Sequence, residues 1–246
     1  MEISAKINSY RHFKQKEEKD FFKDIELNIS TNGLYFLIGS SGIGKTTLLN
    51  ILLGLNDGYF DGNVNYKFNG TTNNPLGARK NNHLGYQSQD FSLIPWLSIK
   101  DNVLLPLKLN KNIRNFDETD VATTFTSLNL DYEDIKNKYR HQLSFGMRAR
   151  VGLARTILSA PNLFVLDELF TGTDTYTNKQ IKLTLETMKN DKVIFAVSHH
   201  LDMAFDCADA IFLLHNHNNS KKISYYSKSV FFNNKSKQEE ITNLLN

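Results

Sequence analysis

The hydrophobic and polar positions near the N-terminus follow a strand-like pattern. Residues 1–38 alternate polar and apolar positions in several places, as in the run FFKDIELNIS, and a Thr-Asn-Gly turn follows at 31–33. A period of two is typical of strands with one buried face, so we expect strands and a hairpin that lead into the apolar run LYFLI. Residues 58–82 are rich in Asn and Gly and include one more short strand, NVNYKFNG.

The pattern changes to helical spacing in the middle of the chain. Residues 98–158 contain the helix-like runs NVLLPLKL, DVATTFTSLNL and SFGMRARVGLARTILS, with Pro106 and the stretch LNKNIRN as breaks. After Pro161, strands and helices alternate in the order LFVLD, NKQIKLTLETMKN, KVIFAVS, LDMAFDCA and AIFLL. This order predicts an α/β fold whose mostly parallel sheet is interrupted by a helical insertion. From Asn216 onward we expect a polar tail with at most a small appended strand.

A glycine-rich turn, GSSGIGKTT, follows the run LYFLI directly. Its glycines allow the backbone to curl until successive N–H groups point at an anion. Lys45 adds a cation, Thr46 adds a hydroxyl suited to Mg²⁺, and the helix predicted for TLLNILLG directs its positive end at the same anion. The pattern G-x-x-x-x-G-K-[ST] between a strand and a helix predicts a phosphate-binding loop. The expected contacts are Gly39, Ser40, Ser41, Gly42, Ile43, Gly44, Lys45, Thr46 and Thr47.

Two later strands end in side chains that suit phosphate chemistry. Asp167 ends the apolar run LFVLD, where it can hold Mg²⁺, and Glu168 follows as a base for the attacking water. The alternative is that the pair begins a helix as an N-cap and a first-turn acid. The run KVIFAVSHH ends in His199 and His200, and a neutral imidazole can position water or contact a γ-phosphate. An Asn-Lys-x-Asp element for guanine is not in the sequence.

The run HQLSFGMRARVGLARTIL at 141–158 resembles the signature of the ATP-binding cassette (ABC) family, Leu-Ser-Gly-Gly followed by Gln or Met and a basic helix. Leu143, Ser144, Gly146 and Met147 match it. The resemblance runs from about residue 2 to 215 and implies a P-loop NTPase with a RecA-like core, an antiparallel β-subdomain and a helical insertion. The implied ATPase domain is 1–215, with core and β-subdomain at about 1–88 and 159–215, a helical subdomain at about 90–158, and a polar tail at 216–246.

The resemblance also implies roles for single residues. Tyr10 corresponds to the aromatic residue that stacks on adenine, and Gln89 corresponds to the glutamine that links the ATP site to the helical insertion. His199 corresponds to the switch histidine of the family. The implied catalytic residues are Glu168, His199 and Gln89, the implied Mg²⁺ ligands are Thr46, Gln89 and Asp167, and further nucleotide contacts are Ser144, Gly146 and Asp174.

In the ABC family, the signature of one subunit completes the ATP site of the opposite subunit, so two chains enclose two ATP molecules. ATP closes the dimer, hydrolysis opens it, and a membrane permease follows the cycle. The resemblance therefore implies an ATPase subunit of a transporter, similar to the nitrate, sulfonate and taurine importers and to the lipoprotein-release group. Its partners are permease subunits and a second copy or a paralogous subunit, with ATP and Mg²⁺ bound. A non-transport ABC ATPase and a weakly hydrolysing regulatory subunit are the alternatives.

The sequence departs from the family pattern at three positions. Phe145 replaces the first glycine of the signature, Leu169 replaces a common proline, and His200 replaces a common aspartate. We expect the Phe145 ring to point away from the nucleotide, toward the partner subunit or solvent. Trp96, the only tryptophan, has two interpretations: it lines the groove that docks the permease, or it packs between the insertion and the sheet.

Charge and composition narrow the classes of function. The 29 basic and 26 acidic residues among 246 are interspersed without a basic stripe, so a nucleic-acid partner is not indicated. The single cysteine, Cys207, suits a reducing compartment, and no apolar stretch approaches the roughly 18 residues of a membrane span. We expect a cytoplasmic protein held on the inner face of the cell membrane through its permease.

Overall fold

The computed structural model describes residues 1–13, 20–109, 117–159, 161–170, 172–217 and 220–245. The chain divides into a first unit, Met1–Ala78 with Val197–Asn246, and a second unit, Arg79–Ala196. The predicted break LNKNIRN lies, apart from its first residue, outside the described residues.

The strands in chain order are β1 (Glu2–His12), β2 (Phe22–Ile29), β3 (Gly33–Ile38), β4 (Gly58–Phe68), β5 (Thr71–Asn73), β6 (Leu84–Gln87), β7 (Leu163–Asp167), β8 (Val193–Ser198), β9 (Ala210–His217) and β10 (Ser220–Ser227). The α-helices are α1 (Lys45–Leu53), α2 (Pro75–Lys80), α3 (Ile99–Leu109), α4 (Glu118–Ser127), α5 (Tyr132–Ile135), α6 (Phe145–Leu158), α7 (Thr175–Met188), α8 (Leu201–Cys207), α9 (Lys228–Phe231) and α10 (Lys235–Asn243), and a short 3₁₀ helix spans Arg140–Gln142.

An antiparallel sheet in the first unit has the strand order β2-β1-β4-β5. Along β1, Ile3, Ala5 and Ile7 are buried, as a period of two requires. The β1–β4 register then shifts between Ile7 and Ser9, a β-bulge that changes which side chains face inward. As a result Tyr10 is buried, although it is out of phase with the earlier buried positions.

A second group of strands in the first unit has the order β10-β9-β3. All six residues of β3 are buried, which fits a continuous apolar strand in a parallel sheet. β3 pairs with β9 in parallel, with Ile38 opposite Leu213. The turn at 31–33 connects β2 of the antiparallel sheet to β3 of this group. The strands that pair as antiparallel neighbours are β1 and β2.

The segment from Asn216, expected as a polar tail with at most a small appended strand, contains β10, α9 and α10 of the first unit. β10 pairs with β9 over its whole length. The helices α9 and α10 follow, and each buries one apolar side chain completely, Phe231 and Ile241. The boundary expected at 216 falls inside β9.

The second unit contains β6, β7 and β8 up to Ala196, in the strand order β8-β7-β6, together with helices α3 to α7. β6 and β7 run parallel, and all five residues of β7 are buried. α3 and α4 both pack on α6, with Val103, Phe125 and Val151 in their core. Pro106 lies inside α3 and does not end it, contrary to the expected break. Within the described ranges, every helix falls short of the length and apolar character that a membrane span needs.

Candidate nucleotide-binding site

The glycine-rich turn joins the end of β3 to the start of α1 in the first unit. Gly44 is the N-cap of α1, at a φ of +116°, and no side chain in the described part of the chain caps the helix. A helix start of this kind, with glycine at the N-cap, is typical of sites where phosphate groups bind to first-turn N–H groups. Gly39 is needed for a different reason, because a Cβ there would lie 2.8 Å from both the Ile43 side chain and the Leu214 carbonyl oxygen.

Lys45 is held inside this loop. Its Nζ donates to the carbonyl oxygens of Gly39 at 2.8 Å and Ser40 at 3.2 Å, and the side chain is buried. Ser40, Ser41 and Thr46 are exposed, so their hydroxyls are accessible at the loop surface. The predicted cation and hydroxyls are therefore grouped around one short segment of backbone.

The prediction that the Tyr10 ring stacks on adenine is corrected by the structure. Tyr10 is 0% exposed, and its hydroxyl donates to Asp57 at 3.0 Å. Burial and the Asp57 carboxylate raise the pKa of Tyr10 to about 12. The β1 bulge described above is the cause, because it turns this ring into the core.

Exposed aromatic rings lie next to Tyr10 at the end of β1. Phe13 is 61% exposed, and its ring makes an edge contact with that of Tyr59 at 4.9 Å between centroids. This end of β1 is near the phosphate loop, because the His12 ring contacts Phe21 at 4.8 Å and Phe21 packs against Gly44. No sequence pattern distinguishes Phe13 from Tyr10, since only the bulge decides which ring is exposed.

His199 and His200 follow β8 in the first unit, and both are exposed. Their ring centroids are 4.0 Å apart with an interplanar angle of 38°. The backbone N–H of His200 donates to Ser198 Oγ at 3.0 Å, which fixes the turn into α8. His200, which replaces the aspartate of the family pattern, is the N-cap of α8, and within the described ranges its side chain makes no capping hydrogen bond.

In the second unit, Asp167 is buried at the end of β7 and Glu168 follows it half-buried. The next helix, α7, begins at Thr175, so this pair does not cap a helix. Tyr86, which the sequence did not single out, donates its hydroxyl to Asp167 Oδ2 at 3.5 Å, and burial together with that carboxylate raises the pKa of Tyr86 to about 12. Glu168 has a φ of +50°, a left-handed conformation that non-glycine residues rarely adopt.

The signature residues and Asp174 meet in the second unit. Ser144 is the N-cap of α6, with Oγ accepting from Met147 N at 3.2 Å. Gly146 lies against α7, because a Cβ there would be 2.8 Å from Thr177 Oγ1 and 3.4 Å from Asp174 Oδ2. The backbone N–H of Thr177 and then its hydroxyl donate to Asp174, both at 2.8 Å, and hold the pKa of that carboxyl below its usual range.

Gln89 is exposed in the turn after β6, whereas Gln87 is buried and donates to the Ala149 carbonyl at 3.2 Å. Trp96 is 77% exposed, so the interpretation that it packs between insertion and sheet does not describe this structure. The Phe145 ring is 40% exposed and contacts Phe91 of its own chain at 5.0 Å between centroids. The ring was expected to point toward a partner subunit or solvent. In the structure it is partly exposed and partly packed against its own chain.

Mg²⁺ prefers oxygen ligands and is commonly held by one or two protein groups together with substrate phosphates. Among the described residues, no cluster of three or more His, Cys, Asp and Glu side chains forms a metal site. Thr46 of the first unit offers an exposed hydroxyl and Asp167 of the second unit offers a carboxylate, and each is an oxygen donor of the kind that Mg²⁺ prefers.

The strand, glycine loop and uncapped helix at residues 33–53 define a P-loop nucleotide-binding protein. A family model described as ABC transporter matches residues 22–171. The chain is 34% identical over 210 residues to the uncharacterized ABC transporter ATP-binding protein YtlC of Bacillus subtilis, covering 85% of this chain and 77% of YtlC. It is 31% identical over 198 residues to the taurine import ATP-binding protein TauB of Escherichia coli, covering 80% and 74%. The chain belongs to the ABC transporter family of ATP-binding proteins.

Solved structures agree on the fold. The dimeric structure of MJ0796, a bacterial ABC transporter cassette, has a TM-score of 0.75 and 25% identity, covering 92% of this chain and 98% of that one. A post-hydrolysis dimer of the same cassette, bound to ADP and Pi, has a TM-score of 0.76 at 24% identity. The predicted fold class and the resemblance to the ABC family are confirmed.

Proposed function

We propose that this chain is the ATP-hydrolysing subunit of an ABC transporter, and that it energises a separate membrane permease. The observation that carries the proposal is the phosphate loop, in which Lys45 is held at 2.8 Å from the Gly39 carbonyl beside the uncapped start of α1. A triphosphate entering the loop gains the Lys45 ammonium and the first-turn N–H groups together.

Different residues of this chain have different roles in ATP hydrolysis. Thr46, Asp167 and Gln89 are the residues that would hold Mg²⁺, and the bound ion would neutralise charge on the phosphate oxygens. Glu168 accepts the proton of the attacking water, and His199 orients the γ-phosphate or the water. The half-buried position of Glu168 directly after buried Asp167 supports this assignment of roles.

Adenine recognition is reassigned from Tyr10 to Phe13. Phe13 has an exposed face, and the His12–Phe21 contact brings its end of β1 close to the loop. An exposed aromatic ring can stack on a base, and this contact is worth about 1–3 kcal/mol where it has been measured for bases in other proteins.

A dimer completes the site. The N-terminus of α6 presents Ser144 together with Asp174, beside the buried Gly146, and we propose that this surface binds the ATP held by the loop of a second copy or of a paralogous subunit. ATP then closes the dimer and hydrolysis opens it. The solved MJ0796 cassettes, which are dimeric, support this step.

The permease docks near Trp96. The ring is 77% exposed and follows the Gln89 turn, and large amphipathic aromatics are favoured as interface anchors. Trp96→Ala is expected to weaken co-purification with the permease while the melting temperature stays unchanged. Anchoring through this contact would place the subunit at the inner face of the cell membrane. Import of a sulfonate-like substrate is supported by the taurine importer among the relatives.

The direct test is steady-state ATP hydrolysis by the full chain with Mg²⁺. Glu168→Gln should lower the rate by about 10² to 10⁴, which is the usual contribution of a general base. Glu186→Gln, a change of the same type in α7 where Glu186 pairs with Lys182, is the matched control and should leave the rate unchanged. Equal rates for all three proteins would exclude Glu168 as the base.

A further inference from the structure

A strained turn follows Gln89 in the second unit. Phe91 and Ser92 are successive non-glycine residues in the left-handed region, with φ of +64° and +45°. Such conformations persist only where surrounding contacts hold them. Phe91 is buried, so the strained backbone is part of a packed region of this unit.

Side chains around α6 supply these contacts. Arg155 of α6 donates from Nη2 to the Phe91 carbonyl at 3.0 Å and from Nη1 to the Ser92 carbonyl at 2.8 Å. Arg140, just before α6, donates from Nη1 to the Leu93 carbonyl at 3.2 Å. The backbone of the turn is thereby tied to the signature segment, and the Phe91 ring has a separate packing contact.

The Phe145 ring has packing contacts on two sides, and one of them is with the Phe91 ring. It meets the Phe91 ring edge to face, with centroids 5.0 Å apart and planes at 72°. On its other side, a Cβ added to Gly172 would lie 3.1 Å from Phe145 Cε1, so the ring packs directly on that backbone. Gly172 belongs to the loop between Glu168 and Asp174, and one ring therefore contacts both the Gln89 turn and this loop.

We propose that Phe145 is a positioning residue that couples the Gln89 turn to the loop between Glu168 and Asp174. The inference rests on the proposed ATPase function. A glycine, which the signature of the family has here, could make neither contact. The ring leaves Ser144 in place as the N-cap of α6, so it does not obstruct that hydroxyl. Its action is to keep Gln89 and Glu168 in a fixed arrangement during turnover.

The test compares full-length variants by ATP hydrolysis with Mg²⁺ over a range of ATP concentrations. Phe145→Ala should lower kcat at least fivefold and change the KM for ATP by less than twofold, because the ring acts on turnover and not on ATP capture. Phe145→Tyr keeps the ring and should retain kcat within twofold. The matched control is Tyr139→Ala, which removes a ring of similar exposure, 42% against 40%, and should leave kcat unchanged.

A double-mutant cycle supplies a second arm. Gly172→Ala places a methyl group against the ring, so it should lower kcat more in the wild type than in the Phe145→Ala background. A kcat of Phe145→Ala equal to or above that of the wild type would overturn the proposal, as would strictly additive effects in the cycle or an equal loss in Phe145→Tyr. If the wild type hydrolyses ATP in these cases, the proposed function stands while this inference fails. A wild type that does not hydrolyse ATP would overturn both.

Discussion

Gly44→Ala is a sharp test of the phosphate loop, because its cost has two structural sources. The φ of +116° at this position strains an L-residue by about 1–3 kcal/mol. The added Cβ would lie 2.7 Å from Phe21 Cε1 and 3.0 Å from Phe22 Cζ, an overpacking that typically costs about 1–3 kcal/mol. Adding the lower and the upper bounds gives about 2–6 kcal/mol. Phe22 is fully buried and has little room to move.

The cost should appear in unfolding, in ATP binding, or in both. We expect urea unfolding to show a lower free energy of unfolding for Gly44→Ala. Where the loop relaxes to accommodate the added methyl group, calorimetric titration should show ATP binding weakened about 30-fold or more, the equivalent of 2 kcal/mol. The control is Gly70→Ala in the β4–β5 turn, at a φ of +80°, where among the described residues no heavy atom lies within 4 Å of the added Cβ. It should keep full ATP affinity. The reasoning is refuted if Gly44→Ala is as stable as Gly70→Ala and binds ATP like the wild type.

Two further predictions concern single contacts. Phe13→Ala should weaken ATP binding about fivefold or more through the loss of a stacking partner, whereas Tyr10→Phe should bind ATP normally, and calorimetry on both decides which ring meets adenine. Thr177→Val removes a hydroxyl donor from Asp174, so the pKa of that carboxyl should rise toward its usual value in an NMR titration. Because the native pKa is lowered, the stabilisation by this cap is complete above about pH 3.9 and is lost as the pH falls through the lowered pKa. An unchanged Asp174 pKa would contradict the assignment.

The phosphate loop and the end of β7 could be predicted from the sequence, because each depends on neighbours in the chain. A glycine-rich turn between an apolar strand and a helix is determined by the backbone freedom of its own glycines. The position of Asp167 is determined by the buried strand that precedes it. Tyr10 could not be placed, since a bulge at Ile7–Ser9 is decided by pairing with β4 and leaves no local signal.

The C-terminal segment and Phe145 show the same limit. The segment from 216 is polar by composition, yet β10 is ordered by pairing with β9, and Phe231 and Ile241 are buried by contacts that composition does not reveal. The direction of the Phe145 ring depends on Phe91 and on Gly172, which are 54 residues before and 27 residues after it in the chain (145 − 91 and 172 − 145). Packing between residues that are far apart in the chain determines the direction of this ring and the burial of Phe231 and Ile241. The local pattern of one sequence does not predict such contacts.

The most direct measurement of the central claim is the molar mass of Glu168→Gln in solution, by light scattering with and without ATP and Mg²⁺. The variant should bind ATP without hydrolysing it, so its mass should double from 28.2 kDa when both are added. Lys45→Ala combined with Glu168→Gln should remain at the monomer mass. A Glu168→Gln protein that binds ATP by calorimetry but stays monomeric at high concentration would contradict the proposal that ATP closes a dimer of this chain.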